Sequence, residues 1–567
     1  MHAASLALAQ RWEHDLGDPE SPRSPINFSS ALALDEREEF PSDHLAALTA
    51  LGCFEALIPA TEGGALAEPE QLVLLGRLIA RRDPTTAIAF GQTMLGSLPV
   101  WLAGNTAQKQ RLAADLRGGR LGCLALTEKD HGSDILANTF SARLQDDRFV
   151  FTGEKWLINN GRMGGSATVM GKLQRPGRAP EAALWWLRKT GAPAAGWREH
   201  PKIPTHGIRG ADISGFDLDG YTAGRDTQLQ GDEPALYTLL KTLQVSRILC
   251  SGFSLGALDT LFRLTLRFAH ERHLYGKGVI EIPVVRARLA GCFTRILAAD
   301  ALAQVCGRAI AALPAQLSLW SAVAKFQVPT EAEAVARELA VVLGARHYVR
   351  SEAPWGLFQK LMRDNQVVSL FDGSTQVNLS LIASQLRALG EGLRRPTDVD
   401  AGVIDALLQP AAGCAGWPAQ AELQLSNQGC DAIVQTFLHT PAWPAFENTT
   451  LQAVEGLQAA WRSWLADAEQ VTKVLRLPQD AVRTMALAQR YAGLHAAALL
   501  VLVCDRQATA GIDGPCSQSL LLTFLSAHGL AGGLHLPDSV HDEVMDQASS
   551  MVAQRRLLSL QTFTLAG

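Results

Sequence analysis

What the 567-residue chain lacks narrows its reading first. It has no strong charge imbalance: 51 Lys and Arg against 56 Asp and Glu leave a net charge of −5, so nothing points to a nucleic-acid partner. Its nine cysteines (Cys53, Cys123, Cys250, Cys292, Cys306, Cys414, Cys430, Cys504 and Cys516) form no C-x-x-C pair and no Cys/His cluster at zinc spacing. That excludes a disulfide framework and predicts buried, reduced thiols and no metal site. Residues 1–10 have no cationic segment ahead of a short apolar stretch and read as helix, not leader. The longest late apolar run, residues 496–504, is half of what a bilayer crossing needs. These absences predict a soluble, cytoplasmic protein of a reducing compartment, with no integral membrane segment. Hydrophobic residues make up 47% of the chain and charged ones 19%, which suits sizeable cores and excludes wholesale disorder.

At about 100–200 residues per domain, the length predicts three to five units. Residues 40–120 carry helical periodicity, as in Asp43-His44-Leu45-Ala46-Ala47-Leu48 and residues 72–80. From 121 to 225 the period shortens. Residues 140–144 and 148–151 flank Gln145-Asp146-Asp147 as a hairpin, and 181–188 and 213–218 are further strand candidates. Long helical patterns return at 233–390. Strands gathered between two helical blocks predict a mainly α protein with a central β domain, not an alternating parallel sheet. Leu389-Gly390-Glu391-Gly392-Leu393-Arg394-Arg395-Pro396 reads as a boundary. The expected units are a helical 1–120, a β domain over 121–232, a helical bundle over 233–390 and an additional helical domain over 391–567. The last holds 10 Lys and Arg against 17 Asp and Glu, which argues against binding DNA or anionic lipid. Its segments 449–474 and 480–506 read as long helices whose Trp461, Trp464 and Leu465 serve a core.

Four constellations could carry chemistry. Leu126-Thr127-Glu128-Lys129-Asp130-His131-Gly132-Ser133-Asp134 follows a strand-like run and offers hydroxyls and backbone N–H groups to an anion. Thr152-Gly153-Glu154-Lys155-Trp156-Leu157-Ile158-Asn159-Asn160-Gly161 places an aromatic on a strand. Ala269-His270-Glu271-Arg272-His273-Leu274-Tyr275-Gly276-Lys277 ends a helix with basic residues. Lys360-Leu361-Met362-Arg363-Asp364-Asn365 precedes Leu370-Phe371-Asp372-Gly373-Ser374-Thr375-Gln376-Val377. Each is bland alone: a turn, a core residue, a helix end, a cap.

In this order, and with Leu51-Gly52-Cys53-Phe54-Glu55-Ala56-Leu57-Ile58-Pro59, Gly63-Gly64, Arg82-Asp83-Pro84 and Arg117-Gly118-Gly119-Arg120 upstream, they resemble the acyl-CoA dehydrogenase family over residues 40 to 390. The resemblance implies an N-terminal α domain, a β-barrel-like middle domain and a C-terminal four-helix bundle. It implies FAD, α,β-dehydrogenation of an acyl thioester on CoA or an acyl carrier protein, and a homodimer whose interface helps hold the cofactor. An electron acceptor such as an electron-transfer flavoprotein follows as a partner. Such chemistry needs a base within reach of a weakly acidic α-proton and donors for developing enolate charge, with the flavin N5 taking the hydride. By the resemblance Asp372 is the base. Arg247, early in a bundle helix, matches an arginine near that base, and Ser133, Asp372 and Gly373 fall on the substrate side. Leu126, Thr127, Gly132 and Ser133 match the flavin-ring and pyrophosphate segment. Trp156, Leu157 and Asn159 match the flavin-side strand. Ser374 and Gln376 match further FAD contacts, and Arg272 and Tyr275 match residues that reach the cofactor across the subunit interface.

The departures are specific. Asp372 stands where glutamate is usual, and without a backbone shift its carboxylate falls short of the α-carbon by more than about an ångström. Ser246 stands where some members carry an alternative base before the arginine. Leu157 replaces an aromatic, and Asn159 replaces a hydroxyl residue while keeping an amide donor. Pro283 and Val341-Val342-Leu343-Gly344-Ala345-Arg346-His347-Tyr348 replace the adenosine-side glutamines and glycine turn, which predicts a changed loop. The aspartate admits an oxidase of the same superfamily, akin to nitroalkane oxidases, although Leu379 stands where those place an arginine. The eroded loop admits a non-catalytic acyl-binding homologue. The very-long-chain branch of the family also carries a helical extension, which implies a second bundle packed on the core here.

Overall fold

The computed structural model describes residues 3–189, 195–395, 400–409, 414, 416–474, 478–511 and 514–566. Pro396, the end of the expected boundary, lies outside these. Six helices come first: α1 (Ala3–Leu16), α2 (Phe28–Arg37), α3 (Ser42–Ala50), α4 (Glu70–Ala80), α5 (Pro84–Ala103) and α6 (Thr106–Arg117). The start of α5 shows how locally its fold is written. Asp83 accepts hydrogen bonds from the Thr85 and Thr86 amides, and Pro84 opens the helix where no N–H is needed.

Seven strands follow: β1 (Gly122–Ala125), β2 (Ser141–Gln145), β3 (Arg148–Asn159), β4 (Ser166–Gln174), β5 (Glu181–Arg188), β6 (Trp197–Glu199) and β7 (Ile213–Gly224). They form one mixed sheet in the order β1-β4-β2-β3-β7-β6, with β5 also on β4. The expected hairpin is present: β2 and β3 pair antiparallel from Ser141↔Thr152 to Gln145↔Arg148. Its turn puts Asp146 and Asp147 at φ 46° and 64°, conformations that aspartate tolerates. Inside the curled sheet Phe140, Phe149, Phe151 and Trp185 pack edge to face and tilted.

The third block is α7 (Ala235–Leu249), α8 (Ser251–Glu271), the hairpin β8 (His273–Leu274) and β9 (Lys277–Gly278), α9 (Pro283–Ala312), α10 (Leu317–Leu343), α11 (Leu357–Asn365) and α12 (Thr375–Gly392). The fourth is α13 (Ala401–Leu408), α14 (Ala432–His439), α15 (Asn448–Val474), α16 (Pro478–Thr509), α17 (Gln518–Ala527) and α18 (Asp538–Ala553). Three stretches, Ala235–Glu271, Pro283–Ala312 and Asp480–Thr509, are long and apolar enough by length and composition to cross a membrane. Counting uninterrupted apolar runs missed them, because scattered polar residues break each run. In this fold 94%, 83% and 83% of their apolar windows are buried.

Buried ion pairs clasp the first three blocks. Lys360 Nζ lies 2.6 Å from Asp83 Oδ1 and 2.5 Å from Asp364 Oδ2, and Asp364 Oδ1 accepts the Ile208 amide at 2.6 Å. Arg209 and Arg363 both reach Asp35 Oδ2 at 2.6 Å. The sequence segment Lys360 to Asn365 is therefore a structural tie between helices and sheet.

The last block shares one hydrophobic core with the bundle. Asp431 caps α14 and is fully buried. It also accepts from Trp320 Nε1 of α10 at 3.2 Å, from the Tyr491 hydroxyl, and from His495 Nδ1 at 3.1 Å, both on α16. After α18 the chain threads back to the N-terminal helices. Arg77 donates to Leu558 O at 2.6 Å, Asp259 accepts the Leu558 amide at 2.9 Å, and Asp300 accepts Ser559 Oγ at 2.9 Å and the Leu560 amide at 2.8 Å. Gln10 donates to Thr564 O, and the Ala566 amide to Glu13.

Candidate active site

Asp372 lies in the bend between α11 and α12, at φ 57°, followed by Gly373 at φ 90°. Ser374 then caps α12 by accepting the Val377 amide. Left-handed conformations cost a non-glycine residue, least so aspartate and asparagine, and this one is held from several sides. Arg247 Nε donates to Asp372 O at 3.3 Å. Asn378 Nδ2 donates to Gly373 O at 2.9 Å and Ser374 O at 3.0 Å. Lys325 Nζ donates to Val368 O and, at 2.7 Å, to Phe371 O, and stands 4.7 Å from the Phe371 ring centre.

Asp372 as a whole is half-buried. Cys250 Sγ lies 3.7 Å from Oδ2, the Ser246 hydroxyl is also against the group, and Oδ1 is buried without a partner. Burial pushes the carboxyl above the ordinary aspartate value, while Arg247 and Lys325 pull it back down. Burial likewise lowers Lys325 and pushes the Cys250 thiol far up, so that thiol stays protonated. A small cavity of about 30 Å³ is lined by Asp372 and Phe371 and otherwise mainly by apolar side chains of α4, α5, α7 and α8.

Helix α5 couples this cavity to the sheet. Its Gly91, Met94 and Leu95 line the cavity. Its Thr93 Oγ1 accepts the Gly122 amide at 3.3 Å, and Gly96 lets Cys123 approach so closely that a Cβ there would sit 2.6 Å from the Cys123 backbone. On the sheet, the Trp156 amide donates to Thr127 O at 3.0 Å, joining two of the expected segments. Lys155 is buried beneath them, donating to Leu126 O at 2.8 Å and Glu128 Oε1 at 3.0 Å. Burial takes its pKa down to about 8 against the pull of Glu128. A bulge in β3 falls between Trp156 and Ile158, with Leu157 at φ 59° and 44% exposed. Asn159 carries a buried Oδ1 with no partner, and Gly132 and Ser133 are exposed.

The structure thus brings Asp372, Gly373 and Arg247 together, and Leu126 and Thr127 to Trp156. Arg247 is placed in the last turn of α7, not early in the helix as expected, because the helical pattern runs almost unbroken through Cys250 into α8. Ser374 spends its hydroxyl oxygen on the cap, and Gln376 is exposed in the first turn of α12. Arg272 and Tyr275 are exposed around the β8–β9 hairpin, Tyr275 completely, and make no contact with the other expected site residues among those described. The adenosine-side segment forms a short 3-10 turn over Gly344–Tyr348, with the Arg346 guanidinium 4.7 Å from the Trp355 ring and 5.4 Å from Phe268.

Two neighbours of the carboxylate escaped sequence reasoning. Cys250 has no local signal. Lys325 has a faint one: it is the single charge in residues 317–330. The ligand-type trio Glu154, His200 and Asp217 also converges on the sheet, but Asp217 already pairs with His200 at 3.1 Å and with Arg198.

Known proteins share this arrangement. Sequence models of the acyl-CoA dehydrogenase N-terminal, middle and C-terminal domains match residues 29–120, 123–221 and 236–387. Cyclohex-1-ene-1-carbonyl-CoA dehydrogenase of Geobacter metallireducens is 24% identical over 61% of this chain and 90% of its own. The human mitochondrial short-chain specific acyl-CoA dehydrogenase is 23% identical over 63% and 86%. A Bacillus anthracis acyl-CoA dehydrogenase, solved with FAD, superposes over 98% of this chain and 89% of its own, with TM-score 0.72 at 18% identity, so the C-terminal helices are part of a known fold. With all three domain models matched in order on the expected architecture, the chain belongs to the acyl-CoA dehydrogenase family.

Proposed function

We propose that the protein dehydrogenates an acyl thioester, carried by CoA or an acyl carrier protein, across its α and β carbons with FAD, and that Asp372 takes the α-proton. One observation carries this reading: the buried, unpartnered Oδ1 of Asp372, a residue that lines a mostly apolar cavity. A carboxylate in that setting is costly unless a reacting group is meant to meet it. Cys250 Sγ lies against Oδ2, Arg247 holds the Asp372 carbonyl and Lys325 the carbonyl of Phe371 before it, so Oδ1 is the oxygen left to work.

The residues fit FAD. Asn159 Oδ1 is a buried acceptor with no protein donor, the β3 bulge leaves Leu157 open to a flat group, and no atom lies within 4 Å of where a Cβ on Gly132 would stand. Leu126, Thr127, Gly132, Ser133, Trp156, Leu157 and Asn159 would hold the flavin and pyrophosphate, with Ser374 and Gln376 at the start of α12. Arg272 and the fully exposed Tyr275 would serve the cofactor of a second copy, which supports a homodimer. When bound, FAD supplies the hydride acceptor for the β-hydrogen. The chain's own work is to exclude water, orient the thioester and remove the proton. An electron-transfer flavoprotein is the proposed reoxidant.

The test is spectroscopic. The purified protein should be yellow, or become so with added FAD, and saturated acyl-CoAs should bleach it without air. A protein that stays colourless with added FAD refutes the reading, and rapid peroxide formation in air moves it to an oxidase.

A further inference from the structure

The cavity at Asp372 is short for a physical reason that the structure displays. Phe253, from the first turn of α8, is 7% exposed and lies across the gap between α4 and α5. Both helices carry glycine there. A Cβ on Gly91 would come within 2.4 Å of the Phe253 ring tip, and one on Gly76 within 3.2 Å of its edge. Any larger residue at Gly91 would collide with the ring. Two glycines on two helices thus make a socket for one aromatic side chain. What remains is about 30 Å³, room for about two water molecules, lined by Phe253 together with Leu57, Leu72, Phe90 and Leu98.

Interiors pack at crystal density, so a chain that must pass Phe253 has to displace its ring, and the glycine socket holds that ring on two sides. We infer that Phe253, seated on Gly76 and Gly91, sets the acyl-length limit, and that the substrate is the thioester of a short acyl group. This rests on the acyl-thioester reading above. It assigns a residue to specificity; the base and cofactor segments play no part in the limit.

The experiment measures affinity as well as turnover, so the two readings separate. The FAD-loaded protein is titrated calorimetrically with butanoyl-, octanoyl- and dodecanoyl-CoA, and its anaerobic bleaching by each is timed. The wild type should favour butanoyl-CoA over dodecanoyl-CoA by tenfold or more in both. Phe253→Ala should improve octanoyl-CoA relative to butanoyl-CoA by about fourfold for each methylene newly buried. Phe253→Leu, which keeps more of the packing, should move the same way by less. Wild-type protein that binds dodecanoyl-CoA as tightly as butanoyl-CoA overturns the inference, as do folded variants with an unchanged length profile. Length-dependent binding without bleaching keeps the limit and removes the dehydrogenase reading. Failure to bind any of the three overturns both.

Discussion

Because burial raises the cost of ionising Asp372, the pH dependence of the reaction reports its surroundings. The base works only as carboxylate, so kcat/KM should rise with pH along an acid limb above the ordinary aspartate value of 3.8. Arg247→Gln and Lys325→Met each remove a charge that favours the carboxylate, so each should move that limb to higher pH, whereas Lys325→Arg should leave it in place. Asp372→Asn should abolish bleaching and leave the flavin spectrum intact; full activity in that variant would exclude the base. Asp372→Glu should not outperform the wild type, since the longer side chain is less at home at φ 57° and would enter a cavity already short of room. Asp372, Gly373 and Arg247 were legible in the sequence because they lie in recognisable motifs. Cys250, Phe253 and Lys325 were not: they read as ordinary members of apolar helices, and their meaning comes from α4, α5 and the bend before α12, which lie far from them in sequence.

Helices and strands were legible wherever periodicity carries the signal. The turn at Asp146 and Asp147 and the start of α5 at Asp83-Pro84 are written in a few residues. The bulge at Leu157 was not legible, since one extra residue in a strand leaves the alternation on either side intact. Nor was the way elements are tied. Lys360 on α11 serves Asp83 before α5 and Asp364 on its own helix, so Lys360→Met would strand two buried carboxylates. We expect it to cost about 3–5 kcal/mol in denaturant unfolding. Burial works against the Asp83 carboxylate, but Lys360 and His44 outweigh it and hold the group far below its ordinary value. Its contribution to stability is therefore present above pH 3.8 and lost as acid takes the pH below that. Acid titration of Asp83→Asn beside the wild type should show the stability difference shrinking below that point.

At the scale of the molecule, composition separated an acidic helical tail from the rest but not its docking. The contact is carried by Asp431, Trp320, Tyr491 and His495, which come from two helices and a cap distant in sequence. Asp431→Ala would leave three buried donors unpaired, and a loss of roughly 3 kcal/mol in unfolding free energy is expected, read as a lower denaturant midpoint; an unchanged midpoint would show that the apolar core alone holds the tail. The last described residues have a different consequence. Arg77, Asp259, Asp300 and Glu13, from the opening helices and the bundle, find hydrogen-bond partners on residues 558–566. On the ribosome, those early helices are made hundreds of residues before the segment that completes them. These charges already pair among themselves, Arg77 with Asp300, Glu13 with Arg82 and Asp259 with Arg263, so residues 558–566 add the last hydrogen bonds to a clasp that is charge-balanced before they arrive.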